Sequence, residues 1–213
     1  MTYYKFLAPG RVPPYRGGDP WPEPGIWTHR VDRPALCQRG WHLCRPMDLA
    51  AHIHAELWIV ESAPRCRVIE GDDKVVVSRA RLVSRVETWN DETARACAYA
   101  FADRAVRVHA VAALRAAGRD QQADMLAALA PIVDEKTAAH ASAAAGDAGS
   151  AAWYAGAGAA ARAAAGAAAR AAAGAAAGAA ATAAAGAAAT AAARAAHWQT
   201  MSQKLIKLLK EAR

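Results

Sequence analysis

Over residues 1–90 the apolar positions come in short clusters broken by proline, glycine and charge, the pattern of strands rather than helices. Residues 2–7 (TYYKFL) are β-prone and end at Pro9-Gly10. Residues 9–25 (PGRVPPYRGGDPWPEPG) are too rich in proline for a central strand. They read as an extended loop, pinned to the body by Tyr15, Trp21 and the nearby Trp27. Residues 25–29 (GIWTH) suggest a short strand, and residues 40–43 (GWHL) a strand end or tight turn. Pro46 opens a short helix that runs to about His54, since proline sits well in a first helical turn. Residues 56–61 (ELWIVE) form the strongest strand, rich in β-branched and aromatic side chains. Residues 66–70 (CRVIE) follow, Gly71-Asp72-Asp73 make a turn, and residues 74–78 (KVVVS) and 80–86 (ARLVSRV) complete the set. Arg81 and Arg85 among Leu82, Val83 and Val86 mark the last of these as an edge strand.

At Asn90 the period changes. Asn90 is a suitable N-cap, and Asp91 and Glu92 are favourable in a first turn. Cys97, Phe101, Val108, Val111 and Leu114 then form a helical stripe that ends at Gly118. Residues 121–129 form a second short helix stopped at Pro131, and a third starts there and passes through Ile132 and Val133 into alanine. The expected fold class is α+β: a small mixed β-sheet in an N-terminal domain, followed by an all-α, alanine-rich long-helix tail. The expected divisions are a globular domain (1–90), a helical connector (91–137), an alanine-rich repeat (138–198) and a basic amphipathic helix (199–213).

From residue 142 to residue 198 every fourth position departs from alanine, and the departures alternate in octads. Each glycine costs about 1 kcal/mol against alanine in a helix, which a run this rich in alanine tolerates. Small residues four apart let two helix backbones come close, so Gly158, Gly166, Gly174, Gly178 and Gly186 are candidate packing positions. The repeat is not a heptad, which excludes an ordinary leucine-type coiled coil. The glycines predict a break near residues 146–149 and one long helix after 158. Such a smooth rod packs on its own return arm, on the globular part or on a second chain, and the expectation is a homo-oligomer through these helices.

Residues 171–193 are uncharged for 23 positions, the length of a membrane span, but they contain no Leu, Ile, Phe or Val, so insertion is disfavoured. In the last segment Trp198, Met201, Leu205, Leu208 and Leu209 share one face, with Lys204, Lys207 and Lys210 elsewhere. That helix caps a bundle, or it lies on a membrane or a partner.

The hydrophobic fraction of 54% overstates the core, because alanine dominates it and buries little apolar area. The formal charge of +7 suits an acidic partner or nucleic acid, but the basic residues are scattered. In the tail the arginines stand eight or more residues apart with no aromatic interleaving, which weakens nucleic-acid binding as a reading. The start of the chain lacks the basic and apolar pattern of a secretory leader. The expectation is a cytoplasmic protein (the host cytoplasm if phage-encoded) with four reduced thiols.

No P-loop, GxGxxG or Ser-His-Asp spacing occurs, so no catalytic residue can be assigned and no cofactor is expected. The densest polar cluster is Cys37-x4-His42-x-Cys44, followed by His52 and His54. Three metal ligands could come from it, but the spacing fits no standard zinc pattern, and buried cysteines acting as small hydrophobes are the default. The tryptophans at 21, 27, 41, 58 and 89 are mostly core; a few of them in a cleft beside Arg45, Arg65 and Arg79 would make a nucleotide pocket.

The string YYKFLAPGRVPPY…PALCQRGWHLCRPMDLAAHIHAELWIVE…DDKVVVSRARLVSRVETW resembles an uncharacterised domain of phages and actinobacteria, over about residues 3–90. That resemblance implies a phage or prophage context and no defined activity. Gly40-Trp41-His42-Leu43, the following short helix and the strand ending at Glu61 are also similar to a segment of the ADP-ribosyltransferase fold. This similarity departs at Tyr3-Tyr4-Lys5-Phe6, where such enzymes carry a His or Arg. It implies a cleft that includes Tyr4, Trp41, His42 and Glu61; with Cys44 and His54 from the polar cluster, these are the ligand-pocket candidates. The first functional expectation is a non-enzymatic binding and assembly protein. An ADP-ribosyltransferase-like enzyme or NAD-derived nucleotide binder is the second, and nucleic-acid binding by the basic tail the third.

Overall fold

The computed structural model describes residues 2–14, 18–116, 118–147 and 191–211. Gly158, Gly166, Gly174, Gly178 and Gly186, and the period-four repeat around them, lie outside these described residues.

Six strands are described, β1 (Tyr3–Leu7), β2 (Trp41–Leu43), β3 (Glu56–Ser62), β4 (Val68–Glu70), β5 (Val75–Val77) and β6 (Ala80–Arg85). They form two three-stranded sheets, β1-β3-β6 and β2-β5-β4, and every pairing is antiparallel. This corrects the single mixed sheet expected from the pattern. A parallel pair needs a long crossover, usually an α-helix, and here the α-helices come after the last strand instead. The edge position read for residues 80–86 holds within its sheet. Residues 25–31 run along that edge without becoming a strand. Gly25 N–H donates to Leu82 O and Thr28 N–H to Ala80 O (2.8 and 2.9 Å), too widely spaced for a ladder.

The first sheet is buried on both faces. Tyr3, Leu7, Trp58, Val60 and Leu82 face the second sheet, where they meet Leu43, Val75 and Val77. Phe6 and Leu57 face the helices, with Phe6 edge-on to Trp89 at 5.3 Å. By strand alternation Lys5 lies on the face of Tyr3 and Leu7, between the sheets.

Pro46–His52 is a 3₁₀ helix that stops short of His54. Asp48 at its third position accepts from the Arg45 backbone N–H and side chain, which closes its first turn. The helical run from Asn90 comprises α1 (Asp91–Arg104), a π-helical turn (Ala105–Ala110) and α2 (Val111–Ala116). Asn90 Oδ1 accepts from Glu92 and Thr93 N–H, and Thr93 Oγ1 accepts from Asn90 N–H, a reciprocal cap. The π turn shifts the helical phase. Cys97, Phe101, Val111 and Leu114 are buried as the stripe predicts, but Val108 is exposed and Val106 and Ala110 take its place inside.

α3 (Asp120–Ala127) precedes Pro131, and α4 (Glu135–Asp147) begins after it. The helix expected to start at Pro131 starts four residues later, because Asp134 caps it by accepting from Thr137 N–H at 2.8 Å, leaving Ile132 and Val133 extended. The last helix, α5 (Ala191–Glu211), runs without a break across residue 198. Its Met201, Leu205 and Leu209 are buried in the cluster that holds Leu49, Phe101 and Leu114. Ser202 Oγ accepts the Ala50 N–H at 3.1 Å in the same interface. Ala138, Ala141 and Ala145 of α4 join this cluster too. No described helix is long and apolar enough to cross a membrane.

Candidate functional site

A cavity of about 580 Å³ opens where β1, β2 and the 3₁₀ helix meet. Trp21 and Trp41 form one part of its wall, edge-on to each other with centroids 4.8 Å apart. Trp41 is held in turn by its Nε1–H, which donates to His29 O at 3.0 Å. Lys5, Gln38, His42, His52 and Lys74 bring polar side chains to it. None of the described lining residues is a carboxylate.

The local fold explains how these groups are placed. The turn before β2 closes at Gly40, whose φ of 107° is left-handed. A Cβ there would meet Val76 Cγ2 at 2.7 Å and Pro34 Cβ at 2.9 Å, so only glycine brings the turn this close to β5. The turn folds Cys37 back over β2, and its backbone N–H donates to His42 Nε2 at 2.9 Å. That bond requires a bare Nε2, hence a neutral ring protonated on Nδ1. Burial also holds the His42 pKa below its ordinary value, helped by the Lys5 ammonium, while a backbone hydrogen bond at Gly40 pulls the other way. His52 bonds to Asp73 O at 2.9 Å, and burial lowers its pKa despite the opposing Asp73 charge.

Lys5 is the unusual member. No carboxylate pairs with it and no hydrogen bond reaches it among the described residues. Burial lowers its pKa, as does the Lys74 ammonium, whereas Cys44 opposes the shift. Lys74 differs: Asp73 sits 3.3 Å from it and, with Cys37, holds its pKa up against desolvation.

Of the residues read from the sequence, Trp41, His42 and Cys44 line this cavity. Cys44 is buried, and burial pushes its thiol up to about 12, so it is a packing residue and a poor nucleophile. Tyr4 pairs with Cys44 through backbone bonds in both directions (2.9 and 2.8 Å), and its ring packs on the helical cluster. His54 Nδ1 lies 3.3 Å from Leu7 O, and its carbonyl accepts from Trp89 Nε1–H, outside the cavity lining. Glu61 pairs with Arg81 at 2.7 Å and lines a different cavity. The six candidates are therefore not one site. Cys37 is exposed while Cys44 is buried, and among the described residues no group of three or more His, Cys, Asp or Glu could hold a metal.

The basic cleft expected around Arg45, Arg65 and Arg79 is divided. Arg45 turns inward to Asp48 at 2.6 Å, Glu70 at 3.3 Å and the carbonyls of Gly71 and Asp72. Arg65 and Arg79 join Trp27 in the second cavity. Pattern reading grouped Cys37 with His42 but missed Lys5 and Lys74 as its neighbours. A signal for Lys5 was present: a lysine at the centre of TYYKFL, on the parity of Tyr3 and Leu7, is a charge placed inward.

No protein-family model matches the chain, no curated protein matches it and no solved structure matches it. What it does must therefore be argued from its own residues.

Proposed function

We propose that this chain is a non-enzymatic binding and assembly protein whose head takes up a small, planar, anionic ligand between β1 and β2. The observation that carries the reading is the Lys5 ammonium, without a counter-charge among the described residues, in the wall of a cavity that also presents Trp21 and Trp41. Lys5 is partly buried, and a charge drawn from water without a partner costs stability, a cost that an anion entering the cavity would offset. The tryptophan edges and the Pro13-Pro14 segment supply the apolar walls that a ring system needs. His52 adds a ring nitrogen, Nδ1, beyond the Nε2 that bonds to Asp73 O, while His42, tied to the Cys37 N–H and to Gly40, holds the turn that shapes the wall.

An ADP-ribosyltransferase-like enzyme, the alternative, needs a carboxylate beside the histidine. Glu61 is on the other cavity and none lines this one, so the geometry favours binding over catalysis. Calorimetric titration with aromatic carboxylates, NAD and ADP-ribose tests both readings. Saturable heat with at least one aromatic anion, lost in Lys5→Met, is expected. No heat from any of them at millimolar ligand would remove the binding role.

The assembly half of the proposal rests on the alanine-rich stretch. The helices on either side of it, α4 and α5, both bury side chains in the one helical cluster. The stretch therefore joins two helices anchored in the same cluster, and its small-residue composition suits packing against a second copy. A phage or prophage setting is proposed on the sequence resemblance over residues 3–90. Nucleic-acid binding is the remaining alternative, and a steep fall of affinity with salt would favour it.

A further inference from the structure

The second cavity, of about 440 Å³, gathers Trp27 with Arg30, Arg65, Arg79 and Arg81. Glu61 is the one carboxylate among the described lining residues, against four guanidinium groups, of which Arg30 also faces Asp32 outside the lining. Arg81 uses Nε and Nη2 on Glu61 (2.9 and 2.7 Å). Arg79 is fixed by its Nε–H, which donates to Thr28 O at 3.1 Å, and its terminal nitrogens have no partner among the described residues. Arg30 reaches Asp32 at 4.0 Å with both side chains exposed, and Arg65 is exposed on a turn residue of φ 56°. Converging positive charges in a concave site differ from a solvated face, where charges of both signs are interspersed.

Two further observations narrow the ligand. The Arg81 guanidinium carbon lies 4.5 Å from the centroid of the Trp27 ring, and that of Arg79 lies 5.7 Å away. Trp27 is thus occupied in orienting arginines and is not an open platform for a base. Ser78 lines the same cavity, is 2% exposed, and its hydroxyl has no hydrogen-bond partner. Its backbone is satisfied, the N–H by Arg67 O and the carbonyl by Val31 N–H, so the side chain alone is left unused. Planar guanidinium donors together with a hydroxyl suit a tetrahedral oxyanion, and the surplus of positive charge suits a dianion. We infer that this cavity binds the phosphate group of a small phosphomonoester, held by Arg65 and Arg79 with the Ser78 hydroxyl as a further donor. A nucleic-acid backbone, with one charge per phosphate spread along a strand, would call for a stripe of basic residues and not a single convergent cavity.

The test titrates the full chain calorimetrically with glycerol 3-phosphate, inorganic phosphate, glycerol and a short single-stranded oligonucleotide lacking a terminal phosphate. Both phosphates should give saturable binding and glycerol none. Arg79→Gln should weaken the phosphates roughly ten-fold, and Ser78→Ala several-fold with the fold retained by circular dichroism. Arg85→Gln removes the same charge from an exposed position of β6 outside the cavity, and it should cost less than about two-fold. Equal losses in Arg85→Gln and Arg79→Gln would reduce the effect to general charge and overturn the assignment. So would tighter binding of the oligonucleotide than of glycerol 3-phosphate, or no uptake of either phosphate at millimolar concentration.

Discussion

Among individual residues, ionisation sets the behaviour of the head. The Lys5 charge is held where burial opposes it and no anion among the described residues answers it. Lys5→Met keeps the length of the side chain and removes that charge, so it should stabilise the ligand-free protein by on the order of 1 kcal/mol or more, read as a higher urea midpoint. A loss of stability would mean that the ammonium has a favourable partner after all. His42 and His52 act through pH. Both folded-state pKa values lie below the unfolded value of 6.5, so between the two the unfolded chain binds more protons. The stability present above pH 6.5 should therefore fall as the pH drops below it, and the fall should end once the folded rings also protonate. Protonation of His42 additionally destroys the acceptor of the Cys37 N–H. Denaturation midpoints between pH 7 and pH 5 measure this, and His42→Gln should flatten the slope. The thiols offer a third measurement. Burial pushes Cys44 and Cys97 up to about 12, whereas Cys37 is exposed. A thiol reagent should modify Cys37 in the native protein and reach Cys44 and Cys97 on unfolding.

Among the elements, α5 carries most weight relative to its distance along the chain. Its Ser202 bonds to Ala50, 152 residues earlier, and Leu205 is fully buried beside the 3₁₀ helix that helps wall the ligand cavity. Leu205→Ala should cost about 2–5 kcal/mol, the range for an alanine cavity in a packed core. Ser202→Ala leaves the Ala50 N–H unpaired and should cost about 1–3 kcal/mol. A change below about 0.5 kcal/mol for Leu205→Ala in a urea titration would show that α5 is not docked in solution. Of the two roles the sequence offers for this helix, a bundle cap or a basic face on a membrane or partner, the packing favours the cap, since Met201, Leu205 and Leu209 are spent on the body of the same molecule. The π turn in the preceding helical run matters in a quieter way. It moves Val108 out and Val106 in, and the segments before and after it both bury apolar side chains.

Across the whole molecule, the question is what the alanine-rich stretch does once its two flanking helices are anchored. A truncation at Glu135 would remove Met201, Leu205 and Leu209 from the core, and so would confound assembly with unfolding. Replacing residues 150–190 by a short Gly-Ser linker keeps α4 and α5 in place. Size-exclusion chromatography with light scattering should then give a monomer from a parent that is oligomeric. An unchanged stoichiometry with a folded head would end the assembly proposal while leaving the ligand proposal intact.

Local chemistry in the chain settled a good deal. The cap at Asn90, the strands around ELWIVE and KVVVS, the turn at Gly71 and the edge position of ARLVSRV follow from residue types and short spacings, because caps, turns and alternation are decided within a few residues. Tertiary contact decided the rest. A strand with apolar residues on both parities reads alike whether one core or two cover it, so the split into two antiparallel sheets and the placing of Lys5 between them were not visible in the pattern. Likewise Glu61 and His42 stand 19 positions apart, close enough on paper to share a site. They line different cavities because long-range pairing brings β3 beside β1 and β6, whereas β2 goes to β5, and no local spacing encodes which strand a residue will meet.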